Sequence, residues 1–156
     1  MNATRFDTLF SIRYAIRVLE RYARLWHRLD LLFRILAIFS GSAAFAALMG
    51  EYKVLGTATG ALFAFIVAIE YALNPQRREQ EALKARSPYA DLYSRQQRLG
   101  DADLEEAYQI AVKEDPVIVP ESLKRLAYND VTDERGCDPA ARFELSGYQR
   151  AIGLLA

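Results

Sequence analysis

The chain predicts an all-α integral membrane protein, in which a two-helix transmembrane hairpin is continuous with long cytoplasmic helices and is followed by a small C-terminal helical module. Three observations carry this. Two apolar runs, 35–49 and 54–73, are separated only by the polar tetrad Gly50-Glu51-Tyr52-Lys53. Arginines recur at helical spacing ahead of the first run. The polar C-terminal half is punctuated by proline and glycine where helices end, with no alternating strand pattern. The regions are a basic amphipathic cytoplasmic helix (1–34), the hairpin (35–73, turn 50–53) and a cytoplasmic helical region (74–156).

Composition alone conceals this partition. The 156 residues are 52% hydrophobic and 26% charged, with mean hydropathy −0.05, values that suit a soluble domain until the scarcity of charge between 35 and 69 is seen. The length holds one hairpin and one small module, not two independent globular domains. Cys137 and His27 are the only residues of their types. An intrachain disulfide is therefore impossible, and neither a His/Cys metal site nor a Cys/His or Ser/His catalytic pair is expected. No phosphate-cradling glycine loop or nucleophile motif occurs, so neither an enzyme nor a cofactor is expected. A cleaved signal peptide is not expected either, because the first apolar run starts some thirty residues in, behind a basic segment.

From Ser11 to Ser40 there is neither proline nor glycine, which predicts one helix about 45 to 60 Å long running from cytosol into membrane. On a wheel of about 100° per residue, Arg13, Arg17, Arg21, Arg24 and Arg28 fall within an arc of about 80°. Ile12, Ala15, Ile16, Leu19, Tyr22, Ala23 and Trp26 lie opposite. Three readings of the stripe compete. It contacts anionic lipid headgroups; or it docks the chain's own acidic tail; or arginines of several subunits converge on a nucleotide or oligonucleotide. Residues 1–53 carry eight basic and four acidic groups against six and twelve in 101–156, which suits the second.

The run 54–73 has twenty residues with Glu70 its one charge, matching the roughly 20 a helix needs to cross hydrocarbon. The first run is shorter and is extended past Arg34, a side chain long enough to reach the interface. Arginines before the hairpin, and Arg77, Arg78, Lys84 and Arg86 after it, predict that both termini are cytoplasmic, with Tyr52 at the far interface and Trp26 and Tyr71 at the near one. Gly56, Gly60, Ala64, Ala68 and Ala72 make a ridge for close helix packing, either within the hairpin, against Ala37/Gly41 or Ala43/Ala47, or between subunits. Arg34 and Glu70 match in depth and are expected to pair. Alternatively Glu70 forms a charged pore mouth, with Thr59, Phe63, Ile66 and Val67 lining the path above it.

Beyond the membrane, Asn74-Pro75 predicts a break and Ser87-Pro88 a second disturbance in the helix 76–99. Gly100 ends that helix. Asp101 is expected to cap one through about Lys113, with Leu104, Tyr108 and Val112 on one face. Pro116 and Pro120 bound an extended connection. Pro120 then opens a helix from Glu121 to Arg135 that stops at Gly136, and Asp138-Pro139 starts a last short helix.

The order of parts, with Glu114-Asp115-Pro116 and Leu126-Ala127-Tyr128-Asn129-Asp130, resembles the SLATT-type two-transmembrane proteins of bacterial conflict systems. That resemblance implies a membrane effector that assembles into a pore on sensing infection, as a homo-oligomer in the lipid bilayer, with four copies the working guess. Its ligand would be a nucleotide or oligonucleotide made by a partner nucleotidyltransferase. Asp130 stands where relatives more often carry Glu, and Asn129 is expected to tie helices together rather than touch a ligand. A non-channel membrane scaffold that recruits a protein partner is the alternative.

Overall fold

The computed structural model describes residues 5–40 and 53–156, and among them every regular element is helical. In chain order these are α1 (Arg5–Ser40), α2 (Lys53–Leu73), α3 (Pro75–Arg95), α4 (Asp101–Glu114), α5 (Glu121–Glu134), a 3₁₀ turn (Pro139–Ala141) and α6 (Gly147–Leu155). Most of the first apolar run and its turn, with Gly41, Ala43, Ala47, Glu51 and Tyr52, lie outside the described residues. The expectation of two spans is accordingly addressed for the second alone.

α1 runs unbroken for 36 residues, as the absence of proline and glycine requires. The chain forms two compact units. One gathers α1 as far as Leu25 with the chain from Glu79 to Ala156, and the other is Trp26–Arg78. The arginine-bearing start of α1 therefore packs with the C-terminal helices as one body.

In that first unit the core is built from helix faces at three- and four-residue spacing: Ile12, Ile16, Leu19 and Ala23 of α1; Ala82, Tyr89 and Leu92 of α3; Leu104 and Ala111 of α4; Leu123, Leu126, Ala127 and Val131 of α5. Burying each large side chain stabilises by about 1.5–3 kcal/mol before entropy is counted. Around Tyr128, the rings of Phe10, Tyr14 and Phe143 stand at centroid distances of 5.4, 6.2 and 5.0 Å, all edge-on. Asn129 clamps the incoming loop, its Nδ2 donating to the Phe143 carbonyl (2.9 Å) and its Oδ1 accepting the Phe143 amide (2.8 Å). Arg5 braces the turn between α3 and α4, reaching the Gln96 and Leu99 carbonyls and Asp101.

Four local expectations are corrected. α3 passes through Pro88 without a break; the lost amide bond to residue 84 is outweighed by the burial of Tyr89 and Leu92 in the following turn. The N-cap of α4 is Gly100, not Asp101, whose carboxylate is taken by Arg5. Val112 is 44% exposed and Ala111 takes its place in the core. Asp138-Pro139 opens only the 3₁₀ turn, where Asp138 Oδ1 accepts the Ala140 amide at 2.9 Å, and the last helix starts later, at a capping box in which Ser146 and Gln149 satisfy each other's backbone amides. Gly136, at φ 63°, ends the α5 segment as its left-handed conformation allows.

In the second unit α2 ends at Asn74, whose φ of 44° and amide bond to the Glu70 carbonyl (2.9 Å) close the helix, while its Oδ1 accepts the Arg77 amide (3.3 Å) and opens α3. Asparagine is among the few non-glycine residues that tolerate this conformation. The helical stretch from Gly56 has an 18-residue window with mean hydropathy 1.6 and none of it buried, so one helix is long and apolar enough to cross a membrane. The end of α1 is apolar and outward too, with Leu31, Ile35 and Ile38 exposed.

Leu123→Ala should cost about 2–5 kcal/mol in a denaturant titration, because Leu123 is 0% exposed among helices that cannot collapse onto the gap. Ile118→Ala, at an 89% exposed position, should stay within about 0.5 kcal/mol of the parent.

Candidate functional site

The arginine stripe, the C-terminal end of α2 and the outward face of α2 lie among the described residues.

The stripe meets α5. Arg13 donates through Nε and Nη2 to Glu134 Oε1 (2.9 and 2.5 Å), and Arg17 Nη2 reaches Glu134 Oε2 at 3.0 Å. Arg21 grips Asp130 as a fork, Nε to Oδ2 at 2.6 Å and Nη2 to Oδ1 at 2.7 Å. Arg17 also donates to Glu20 Oε2 (3.2 Å), whose other oxygen pairs with Arg86 of α3 at 2.7 Å. Arginines on successive turns of α1 thus face carboxylates on successive turns of an antiparallel α5. Among the described residues Arg13, Arg17 and Arg21 are paired with carboxylates of α5, in line with the tail-docking reading for these three. An external anion would have to displace Glu134 or Asp130. Arg24 bonds only its own helix, Nε to the Glu20 carbonyl at 3.4 Å, and Arg24 and Arg28 are exposed.

Electrostatics follow the geometry. The hydrogen bond from Arg13 holds the Glu134 carboxyl below its ordinary value of 4.5, with Arg17 adding to it, and the same contact raises the Arg13 guanidinium. Four guanidinium groups face three carboxylates, and Nε of Arg17 and of Arg86 are buried without a hydrogen-bond acceptor among the described residues. The sequence shows the acidic excess of the tail but did not identify Glu134, Asp130, Glu20 or Arg86 as members of this charge network. The four-residue step from Asp130 to Glu134, equal to the step from Arg13 to Arg17 to Arg21, was the available signal.

At the hairpin's end, the expected Arg34–Glu70 pair does not form. Arg34 Nε bonds Asp30 Oδ2 at 2.8 Å, one turn back on its own helix, a shorter and entropically cheaper reach than across to α2. Both Arg34 and Glu70 still line one cleft of about 690 Å³, with Asp30, Val67, Asn74 and Arg77. Arg78 lies over the Trp26 ring (4.9 Å) and donates to the Leu73 carbonyl (2.9 Å), closing the end of α2.

Along α2, Thr59, Phe63, Ile66 and Glu70 are partly covered within the chain, whereas Val67 is exposed. Gly56 is partly covered, but Gly60, Ala64 and Ala68 are open, and a methyl group added at Gly60 would meet nothing within 4 Å. The small-residue ridge therefore looks outward from most of its length. No group of three His, Cys, Asp or Glu residues suited to a metal occurs among the described residues.

No family model, curated protein or solved structure matches the chain. Its functional reading rests on its own residues.

Because the Glu134 carboxyl ionises more readily in the folded chain than in the unfolded one, its pairing stabilises the fold above the ordinary carboxylate range and fades as pH falls through the lowered value. Melting temperatures of the parent and Glu134→Gln should differ at pH 7 and converge only as pH falls through the lowered value, below the ordinary carboxylate range. A gap that stays constant with pH would remove the ladder as its source.

Proposed function

We propose that the chain is a homo-oligomeric membrane effector, not an enzyme, that permeabilises or conducts across a bacterial inner membrane under control of a nucleotide-type signal. The outward apolar stretch of α2 carries this reading, since an 18-residue window with none of it buried needs lipid or other helices around it. The open ridge of Gly60, Ala64 and Ala68 suits close contact with a second copy. Two spans per subunit enclose little water, so conduction requires several copies, with four the working number. Basic residues on both flanks of the apolar region favour cytoplasmic termini. The resemblance to SLATT-type proteins supplies the biological setting, anti-phage defence with a partner nucleotidyltransferase making the signal.

In this reading Glu70 and Val67 border the cytoplasmic mouth, with Thr59, Phe63 and Ile66 further along the path. The partial cover over Thr59, Phe63, Ile66 and Glu70 favours a second reading, a hairpin closed on itself that anchors a recruiting module.

Reconstitution in planar bilayers separates the two. The effector reading expects discrete conductance steps, a weaker cation preference in Glu70→Gln, and loss of cross-linked oligomers in Gly60→Leu. The anchor reading expects no conductance and full function after both spans are exchanged for an unrelated hairpin. A cation preference unchanged in Glu70→Gln would take that carboxylate out of any pore mouth.

A further inference from the structure

A second cavity, of about 410 Å³, lies wholly within the unit that joins the start of α1 to the C-terminal helices. Its size falls in the range of small-molecule sites, and its composition follows their pattern of apolar walls with a few converging polar groups. Three tyrosines reach it from three helices: Tyr14 of α1, Tyr89 of α3 and Tyr108 of α4. Tyr89 and Tyr108 stand 6.3 Å apart with their planes at 55°. Burial pushes all three hydroxyls up from their ordinary value, so they remain neutral donors. The hydroxyl of Tyr14 makes no hydrogen bond among the described residues.

The decisive polar group is Asp115, in the extended connection after α4. Its Oδ1 accepts the Val117 amide at 2.9 Å, and its Oδ2 shares the one Tyr89 hydroxyl proton, at 3.2 Å, with the Ala111 carbonyl at 3.3 Å. These two bonds fix the carboxylate's orientation on a proline-bounded segment. Each carboxylate oxygen can accept twice, which leaves acceptor capacity on both oxygens. Lys124 at the cavity lies 3.6 Å from Glu121 on its own helix, and the carboxylate and the aromatic walls together suit a flat ring with paired donors.

We propose that this cavity binds a planar heteroaromatic ring of the guanine type, stacked on the partly open rings of Tyr14 and Tyr108 with the buried Tyr89 behind them, and with Asp115 accepting from its two adjacent ring-edge N–H groups. A carboxylate accepts only. The corresponding edges of adenine and cytosine each place an acceptor beside their donor and would meet Asp115 with repulsion; guanine offers N1–H and the exocyclic amine together. Stacking on aromatic side chains contributes about 1–3 kcal/mol per base, and the carboxylate supplies the discrimination. That the bound ring acts as the controlling signal rests on the functional reading above; its binding does not.

The test is calorimetric titration of the full-length protein in detergent with GMP and with AMP, which carry the same phosphate and differ in the ring. GMP should bind saturably and AMP at least about tenfold more weakly. Val112→Trp, a substitution at an exposed rim position, should abolish GMP binding with an unchanged circular dichroism spectrum, and Asp115→Asn should erase the preference for GMP. Should Asp115→Asn fail to fold, the AMP comparison and Val112→Trp decide by themselves. Absence of saturable GMP binding at millimolar concentration, equal binding of AMP, or binding that survives Val112→Trp overturns the assignment. Bilayer recordings on the same preparation report on conduction separately, so a silent bilayer with intact GMP binding, or the reverse, shows which of the two ideas has failed.

Discussion

The contact on which the first unit depends is the ladder between α1 and α5. Arg13 and Arg17 share Glu134, Arg21 holds Asp130, and Arg17 and Arg86 share Glu20, so one network of charges ties α1, α3 and α5. Its members are between 15% and 39% exposed at their side chains, neither free in water nor sealed from it. An isolated surface pair contributes about 0–1 kcal/mol. A forked, partly buried pair is worth more, and removing one partner leaves the other desolvated without compensation.

The ladder's larger effect is on register. Ile12, Leu123, Leu126 and Val131 supply the apolar burial, but apolar faces of this kind accept sliding by a turn at modest cost. The charges do not. A slip of one turn in one direction would set Leu126 opposite Arg21; in the other, Arg13 would look beyond the end of α5 at Glu134. Either way a guanidinium loses its carboxylate. The core thus favours association of the helices, and the ladder selects one alignment.

What the sequence disclosed and what it withheld divide by range. Helix ends written in local chemistry were legible: the uninterrupted α1, the span ending at Leu73, the joint at Asn74-Pro75, and the stop at Gly136. Pro88 misled because a local breaker was overruled by the burial of its neighbours. Val112 misled because a helical wheel names a stripe without saying which side of it the rest of the chain will cover. The arginine stripe was visible, but its partners lie 109 to 121 residues away, beyond any periodicity. The tyrosine cavity was invisible for the same reason, assembled as it is from three helices and a loop. Arg34 and Glu70 line one cleft, yet the shorter contact with Asp30 decided the pairing.

Tyr128, Asn129 and Asp130 are consecutive, and each is tied to a different set of neighbours: rings of α1 and of the following loop, the Phe143 backbone, and the Arg21 fork. Successive residues on a helix point about 100° apart, so three adjacent side chains can hold three surrounding elements at once. A short run of neighbouring polar and aromatic letters is usually taken as the mark of something bound. Here it is the mark of a junction, and its order matters as much as its content: exchanging Asn129 with Asp130 would keep the composition while aiming an amide at the guanidinium and a carboxylate at the Phe143 carbonyl.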